Sequence, residues 1–378
     1  MPHLSPEVMI RQVQQLSTDL RFHVEPIRDQ ICRALDLDDW CRIDRLCLLG
    51  AGDSHSAALC TAMAFERIAG IDCMITGGQH FLNYTLDRVP QLGIDRTAFV
   101  ASSSSGGTAT IVNAIKAVSR YGAPTLAITG KSDSAVTNAA ARSVITELQD
   151  QEASPGIRTF QSCVLSLLLL AIRLGVLKKN INQKQAACMQ DELLGVADLI
   201  DDTNKQLDRW CGPVADIVAE SGMIHLVGSG PCFGAAQFGA SKFTEAAGLA
   251  ATAQDVDSWW HVCRFTIPAN LPLFVIAAPG RSDACAEQLA SAAQQLGRTI
   301  IAVADARHET LLGYAAFPLP VVGRVREEFS PLLYHLFANH VACYAAQRLG
   351  RLLFQSNPSN FVKPISKDAT GHFQHHRH

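Results

Sequence analysis

Two stretches decide how this chain is read: Leu46-Cys-Leu-Leu-Gly-Ala-Gly52 and Ile224-His-Leu-Val-Gly-Ser-Gly230. Each is a short apolar run that ends in Gly-x-Gly and leads into a stretch of small residues with helical spacing. The two glycine pairs lie 178 residues apart. Two further pairs follow in the same order: Phe99-Val-Ala-Ser102 with Phe274-Val-Ile-Ala277, and Thr125-Leu-Ala-Ile-Thr129 with Thr299-Ile-Ile-Ala-Val303, at offsets of 175 and 174. Three collinear matches at a nearly constant offset define an internal duplication.

Each copy reads strand, glycine turn, helix, strand, turn, helix, strand, with helical spacing over Ala109 to Tyr121 and over Ala284 to Leu296. Alternation of this kind specifies a parallel sheet with helices on both faces. An unbroken apolar strand such as Val275-Ile-Ala-Ala278 fits burial on both sides. The expected fold is therefore α/β, as two tandem three-layer α/β/α units of flavodoxin-like type. The expected units are 30–178 and 205–352, followed by a C-terminal tail at 353–378. Helical periodicity over Pro6 to Leu35 and over Asn180 to Trp210 supplies outer helices before and between them.

The 378 residues suit two domains of ordinary size. A hydrophobic share of 48% against 18% charged residues describes a folded chain rather than a disordered one. A net charge of −3, without long runs of one sign, leaves no electrostatic footprint for nucleic acid or an anionic membrane. The longest apolar run, Val164 to Ile172, is about half of what crosses a bilayer. The twelve cysteines include no CxxC pair and follow no signal peptide, so reduced thiols in a cytoplasmic protein are expected. Cys47, Cys60, Cys163 and Cys343 lie in apolar stretches where a thiol acts as a small hydrophobe.

Chemistry concentrates after the strand at Ala98 to Ala101, in Ser102-Ser-Ser-Ser-Gly-Gly-Thr108. A strand that passes through small hydroxyl residues into a helix gathers backbone N–H groups, side-chain donors and the positive end of a helix dipole at one point. That is an anion cradle. Gly52 and Ser54, in Gly50-Ala-Gly-Asp-Ser54, lie at another strand end and should face the same edge. Neither loop has a third glycine or a lysine-serine pair, which argues against a dinucleotide or a nucleoside triphosphate.

The order GxGxS, SxSGxT about fifty residues later, and then Ala-Pro-Thr-Leu-Ala-Ile-Thr resembles the sugar isomerase (SIS) domain, and the duplicated chain resembles the isomerase half of glucosamine-6-phosphate synthase, over roughly residues 30 to 367. The resemblance implies a sugar phosphate held by Ser54, Ser103, Ser104, Ser105 and Thr108. Gly107 stands where the family has an acidic residue, and Arg158 where it has a lysine, so Arg158 is a possible cation beside the phosphate. In the second copy, Ala278-Pro-Gly-Arg-Ser-Asp283 lacks the run of hydroxyls and is not expected to bind phosphate in the same way.

Lys242-Phe-Thr-Glu245 matches the family's Lys-x-x-Glu helix, which makes Glu245 the implied base for moving a proton between C1 and C2 of an open-chain sugar. By itself the residue also reads as a helix-surface glutamate beside Lys242. His261, in Gln254-Asp-Val-Asp-Ser-Trp-Trp-His261, is the implied ring-opening residue, and a packed or interface histidine is the alternative. Pro358-Ser-Asn-Phe-Val-Lys363 resembles the family's ending, whose lysine reaches over the site, so Lys363 is implied to assist catalysis. The His-rich terminus has no acidic or cysteine partners and no metal site is expected; enolisation likewise needs no cofactor. The chain opens Met1-Pro2-His3, so amination from glutamine by this chain alone is not expected. The expected function is aldose-ketose isomerisation or aminosugar-phosphate deamination, with a noncatalytic phosphosugar sensor as the alternative. A homodimer or higher homo-oligomer is expected, with Trp259 and Trp260 beside His261 at an interface.

Overall fold

The computed structural model describes residues 4–35 and 37–355. Lys363 and the rest of the expected tail from residue 356 lie outside them. Among the described residues, ten strands form two parallel sheets. The first holds β1 (Arg45–Leu49), β2 (Asp72–Thr76), β3 (Thr97–Ser102), β4 (Thr125–Thr129) and β5 (Arg142–Ile145), in the order β2-β1-β3-β4-β5. The second holds β6 (Met223–Val227), β7 (Ala250–Gln254), β8 (Pro272–Ala277), β9 (Thr299–Asp305) and β10 (Phe317–Val321), in the order β10-β9-β8-β6-β7. Read from opposite ends, the two orders are the same, and the duplication seen in the sequence is a duplication of sheets.

The helices used below are α1 (Glu7–Ala34), α2 (Asp53–Ala64), α3 (Ala109–Ser119), α4 (Arg158–Leu177), α5 (Gln183–Ser221), α6 (Pro231–Lys242), α7 (Val256–His261), α8 (Asp283–Gln295) and α9 (Leu336–Arg348). One continuous core lies between the sheets and takes residues from α1, α2, α4, α5, α6 and α9. Two smaller cores cover the outer faces, under α3 on the first sheet and under α8 on the second. The four thiols placed in apolar stretches, Cys47, Cys60, Cys163 and Cys343, are all buried.

Helix α4 is longer than the apolar run within it. Its 20 residues are apolar enough to cross a membrane, yet 89% of its most apolar window is buried inside the protein. It is the central helix of the shared core. Helix α5 opens on a capping box, in which the Asn182 side chain accepts from the Gln185 N–H and the Gln185 side chain accepts from the Asn182 N–H.

The repeat brings α2 and α6 into direct contact, at a crossing so close that a Cβ on Gly234 would stand 2.5 Å from the Cys60 backbone nitrogen. Each of these helices runs on into one π-helical turn, Phe65–Ala69 after α2 and Phe243–Ala247 after α6. Such widened turns recur at functional sites. Crossing the two helices carries the end of α6 to the glycine loop of the first sheet, and the end of α2 toward the glycine loop of the second.

Candidate active site between the two repeats

Gly52 ends the first glycine loop with φ of 55° and opens α2 without a side-chain cap. A Cβ on Gly50 would fall 2.7 Å from the Ser54 backbone, so the helix can start this close only over glycine. Ser54 follows, nearly buried, on the first turn.

In the serine loop, the Ser103 N–H still donates to Ile128 in the sheet, at 3.0 Å, before the chain turns at Gly106. Gly106 has φ of 67°, and a Cβ there would meet the Ser134 side chain at 2.4 Å. The Ser103 and Thr108 hydroxyls lie 3.2 Å apart, and the Gly107 N–H donates to Ser105 Oγ at 3.3 Å. Thr108 is the N-cap of α3 but makes no side-chain cap bond. The hydroxyls are thus gathered at a helix N-terminus without being used up by it, while Ser104 is half-buried and Ser105 exposed. A cavity of about 480 Å³ opens over the glycine loop, between Gly50, Gly52, Gly78 and Thr110 of the first repeat and Gln237 and Ser241 of α6.

Glu245 joins this edge through a chain of charges. Lys242 is fully buried; its Nζ donates to Asp53 Oδ2 at 2.8 Å and to Glu245 Oε2 at 2.5 Å. Ser241 Oγ donates to the other Asp53 oxygen at 3.1 Å. Since Asp53 immediately precedes Ser54, the cluster ties the glycine loop of one repeat to the carboxylate of the other. Burial pushes the Lys242 ammonium down, but Asp53 and Glu245 more than offset this and hold it above its usual value. Burial raises the Glu245 carboxyl, Lys242 opposes that, Asp53 adds to it, and the net direction is upward. A carboxylate displaced upward is a stronger base than an ordinary glutamate, which suits it to accepting a proton.

The wall behind Lys242 is aromatic: its Nζ lies 4.8 Å from the centroid of the Phe238 ring, and Phe238 stacks on Phe160. His335 packs edge-on against both rings, and burial, followed by the charge of Lys242, holds it neutral, with its pKa lowered to about 3. His335 therefore adds no second positive charge beside Lys242.

Other residues singled out in the sequence lie elsewhere. Arg158 is clamped by Asp19 through two hydrogen bonds, at 2.6 and 2.7 Å, and also donates to the Gln149 carbonyl at 2.9 Å. Its charge is matched within the α1 contact rather than left open to a ligand. His261 ends α7 with its side chain 70% exposed and Asp257 3.5 Å away; among the described residues it makes no hydrogen bond to Asp53, Lys242 or Glu245. Trp259 corrects the expectation of an aromatic interface pair: it is fully buried, and its Nε1 donates to His225 Nδ1 at 3.0 Å. Among the described residues, no group of three or more metal-ligating side chains is placed to hold an ion.

Asp53 and Ser241 were missed in the sequence. Asp53 sits between the glycines and Ser54, but nothing local pairs it with a lysine 189 residues away. The Lys242-Glu245 spacing was visible; that Lys242 is fully buried was not.

In the second repeat the loop matching the serine cradle is already filled. The Arg281 N–H donates to Glu327 Oε1 at 3.3 Å, and a Cβ on Gly280 would stand 2.3 Å from the Glu327 carboxyl carbon. The chain supplies its own anion there.

Two parallel sheets with this cradle define a class, and residues 41–173 match the SIS domain family. The matched segment spans the first sheet, and the second sheet repeats its strand order. It is 23% identical over 323 residues to the glutamine–fructose-6-phosphate aminotransferase (isomerizing) of Pseudomonas syringae pv. tomato, covering 84% of this chain and 51% of that one. It therefore spans about half the length of that relative. In structure it is similar to the C-terminal domain of glucosamine-fructose-6-phosphate aminotransferase from Francisella tularensis, with TM-score 0.76, 15% identity and coverage of 90% and 96% of the two chains. It is similar also to glucosamine-6-phosphate deaminase from Thermotoga maritima, with TM-score 0.69, 16% identity and coverage of 91% and 95%.

Proposed function

We propose that this chain is a phosphosugar isomerase or aminosugar-phosphate deaminase acting on a hexose phosphate such as fructose-6-phosphate or glucosamine-6-phosphate. The observation that supports the reading most is the Asp53–Lys242–Glu245 chain, in which a fully buried ammonium joins a carboxylate of the second repeat to Asp53, the residue before Ser54 in the first. Ser54, Ser103, Ser104, Ser105 and Thr108, with the first turn of α3, hold the phosphate. Glu245 takes a proton from the carbon next to the carbonyl of the open-chain sugar and returns it to the neighbouring carbon. Lys242 orients Glu245 and stabilises negative charge on the enediolate between the two steps. In the deamination reading the same proton transfer gives the tautomer from which ammonia is lost by hydrolysis.

The phosphate assignment is tested by calorimetry on the double variant Ser105→Ala, Thr108→Val. Each lost charge-assisted bond should cost about 1.5 to 3 kcal/mol of affinity for a sugar phosphate, with little change for the unphosphorylated sugar. Equal losses for both ligands would remove the assignment.

A homodimer is part of the reading. Val262, Phe265 and Ile267 are 69%, 70% and 85% exposed on the segment that follows His261. An apolar patch beside a histidine otherwise left in solvent supports a partner subunit that covers it.

A further inference from the structure

The duplication creates a second cleft, whose chemistry differs from the first. In open parallel sheets ligands occupy the crevice outside the carboxyl ends of the strands where their order reverses. In the second sheet that point lies between β6 and β8, and a cavity of about 550 Å³ opens there. Ser229 enters it after β6, Asp255 and Trp260 after β7, and Arg281 and Ser282 after β8.

This cleft lacks a counterpart of the Asp53–Lys242–Glu245 cluster. At the 178-residue offset, Asp53, Lys242 and Glu245 correspond to Pro231, Ala64 and Arg67. It also lacks an open phosphate cradle, because Glu327 occupies the loop.

What remains is a mixed polar set against an apolar wall. Asp255 is fixed in place: its Oδ2 accepts from Ser229 Oγ at 2.6 Å and its Oδ1 from the Asp257 N–H at 3.0 Å. The Arg281 guanidinium has no ion pair among the described residues, and Gln288 lines the same cavity. Trp260, Leu289 and Ala292 supply the apolar side, with the Arg264 guanidinium 4.7 Å from the Trp260 ring centroid. A bare anion meets Asp255 and Asp257, and a bare cation meets Arg281. A neutral polyhydroxylated ring meets neither obstacle: its hydroxyls donate to the carboxylates and accept from Arg281 and Gln288, while its C–H face lies on the indole.

We propose that this second cleft binds an unphosphorylated hexose, without turning it over. The inference does not depend on whether the first cleft is catalytic. The test is calorimetric titration of the full-length protein with glucose, galactose, mannose and fructose, and with their 6-phosphates, in the wild type and three variants: Arg281→Ala, Gln288→Ala, and the double variant at Ser105 and Thr108. The expected result is one saturable site for a neutral hexose in roughly the millimolar range. Arg281→Ala and Gln288→Ala should each weaken it by roughly tenfold, about the value of one hydrogen bond. The serine-loop variant should leave it unchanged. Three results would overturn the proposal: no saturable binding of any neutral hexose up to roughly 100 mM, binding that is lost in the serine-loop variant but kept in Arg281→Ala, or a 6-phosphate that binds through Arg281 more tightly than its neutral sugar.

Discussion

At Lys242 the chain buries an ammonium completely and gives it two carboxylates. Removing one member of such a buried group leaves the others uncompensated, so Lys242→Met should cost about 3 to 5 kcal/mol of stability, read from urea midpoints. A loss below 1 kcal/mol would show that the ammonium is not held as described. Asp53 gives a cleaner test of the chemistry, because its charge is one of the influences that raise the Glu245 carboxyl. Asp53→Asn removes that influence, so the Glu245 pKa should fall and the acid limb of kcat/KM should move to lower pH. A limb that stays in place or moves upward would separate Asp53 from the base.

Among the elements, the central strands and the glycine turns were legible and the edges were not. All six strands matched between the copies are present; the four that were not foreseen are β2, β5, β7 and β10, and each lies at the edge of its sheet. Edge strands need no continuous apolar run. Strand β7 is Ala-Ala-Thr-Ala-Gln, and β10 carries Pro318 and Pro320, which a central strand would exclude. The serine loop could be read from local composition because its parts are contiguous. The Asp53–Lys242 pair could not, because it exists only where α2 crosses α6. That crossing makes its own prediction: Gly234→Ala drives a methyl group into the Cys60 backbone and should destabilise the protein by about 1 to 3 kcal/mol. An unchanged denaturation midpoint would mean that the helices cross less closely.

For the whole molecule, the shared core also sets a pH dependence. Burial lowers His335 to about 3 and His340 to about 4, and lowers His55 and His225 in the same direction. A group held neutral in the fold contributes stability that is fully present above its unfolded pKa, near 6.5, and is lost as pH falls toward the folded value. The melting temperature should therefore decline between pH 6.5 and 5, before most carboxylates titrate; a flat profile over that window would contradict the burial. The duplicated architecture gives the account its central claim, that one repeat supplies the cradle and the other supplies the base. Solvent deuterium exchange tests it most directly: in D₂O with a panel of hexose 6-phosphates and glucosamine-6-phosphate, the wild type should place deuterium at C1 or C2 of its substrate. Glu245→Gln should bind that sugar phosphate about as well while exchange falls roughly 10²- to 10⁴-fold. Exchange that survives in Glu245→Gln, or sugar-phosphate binding without exchange across the whole panel in the wild type, would contradict the account.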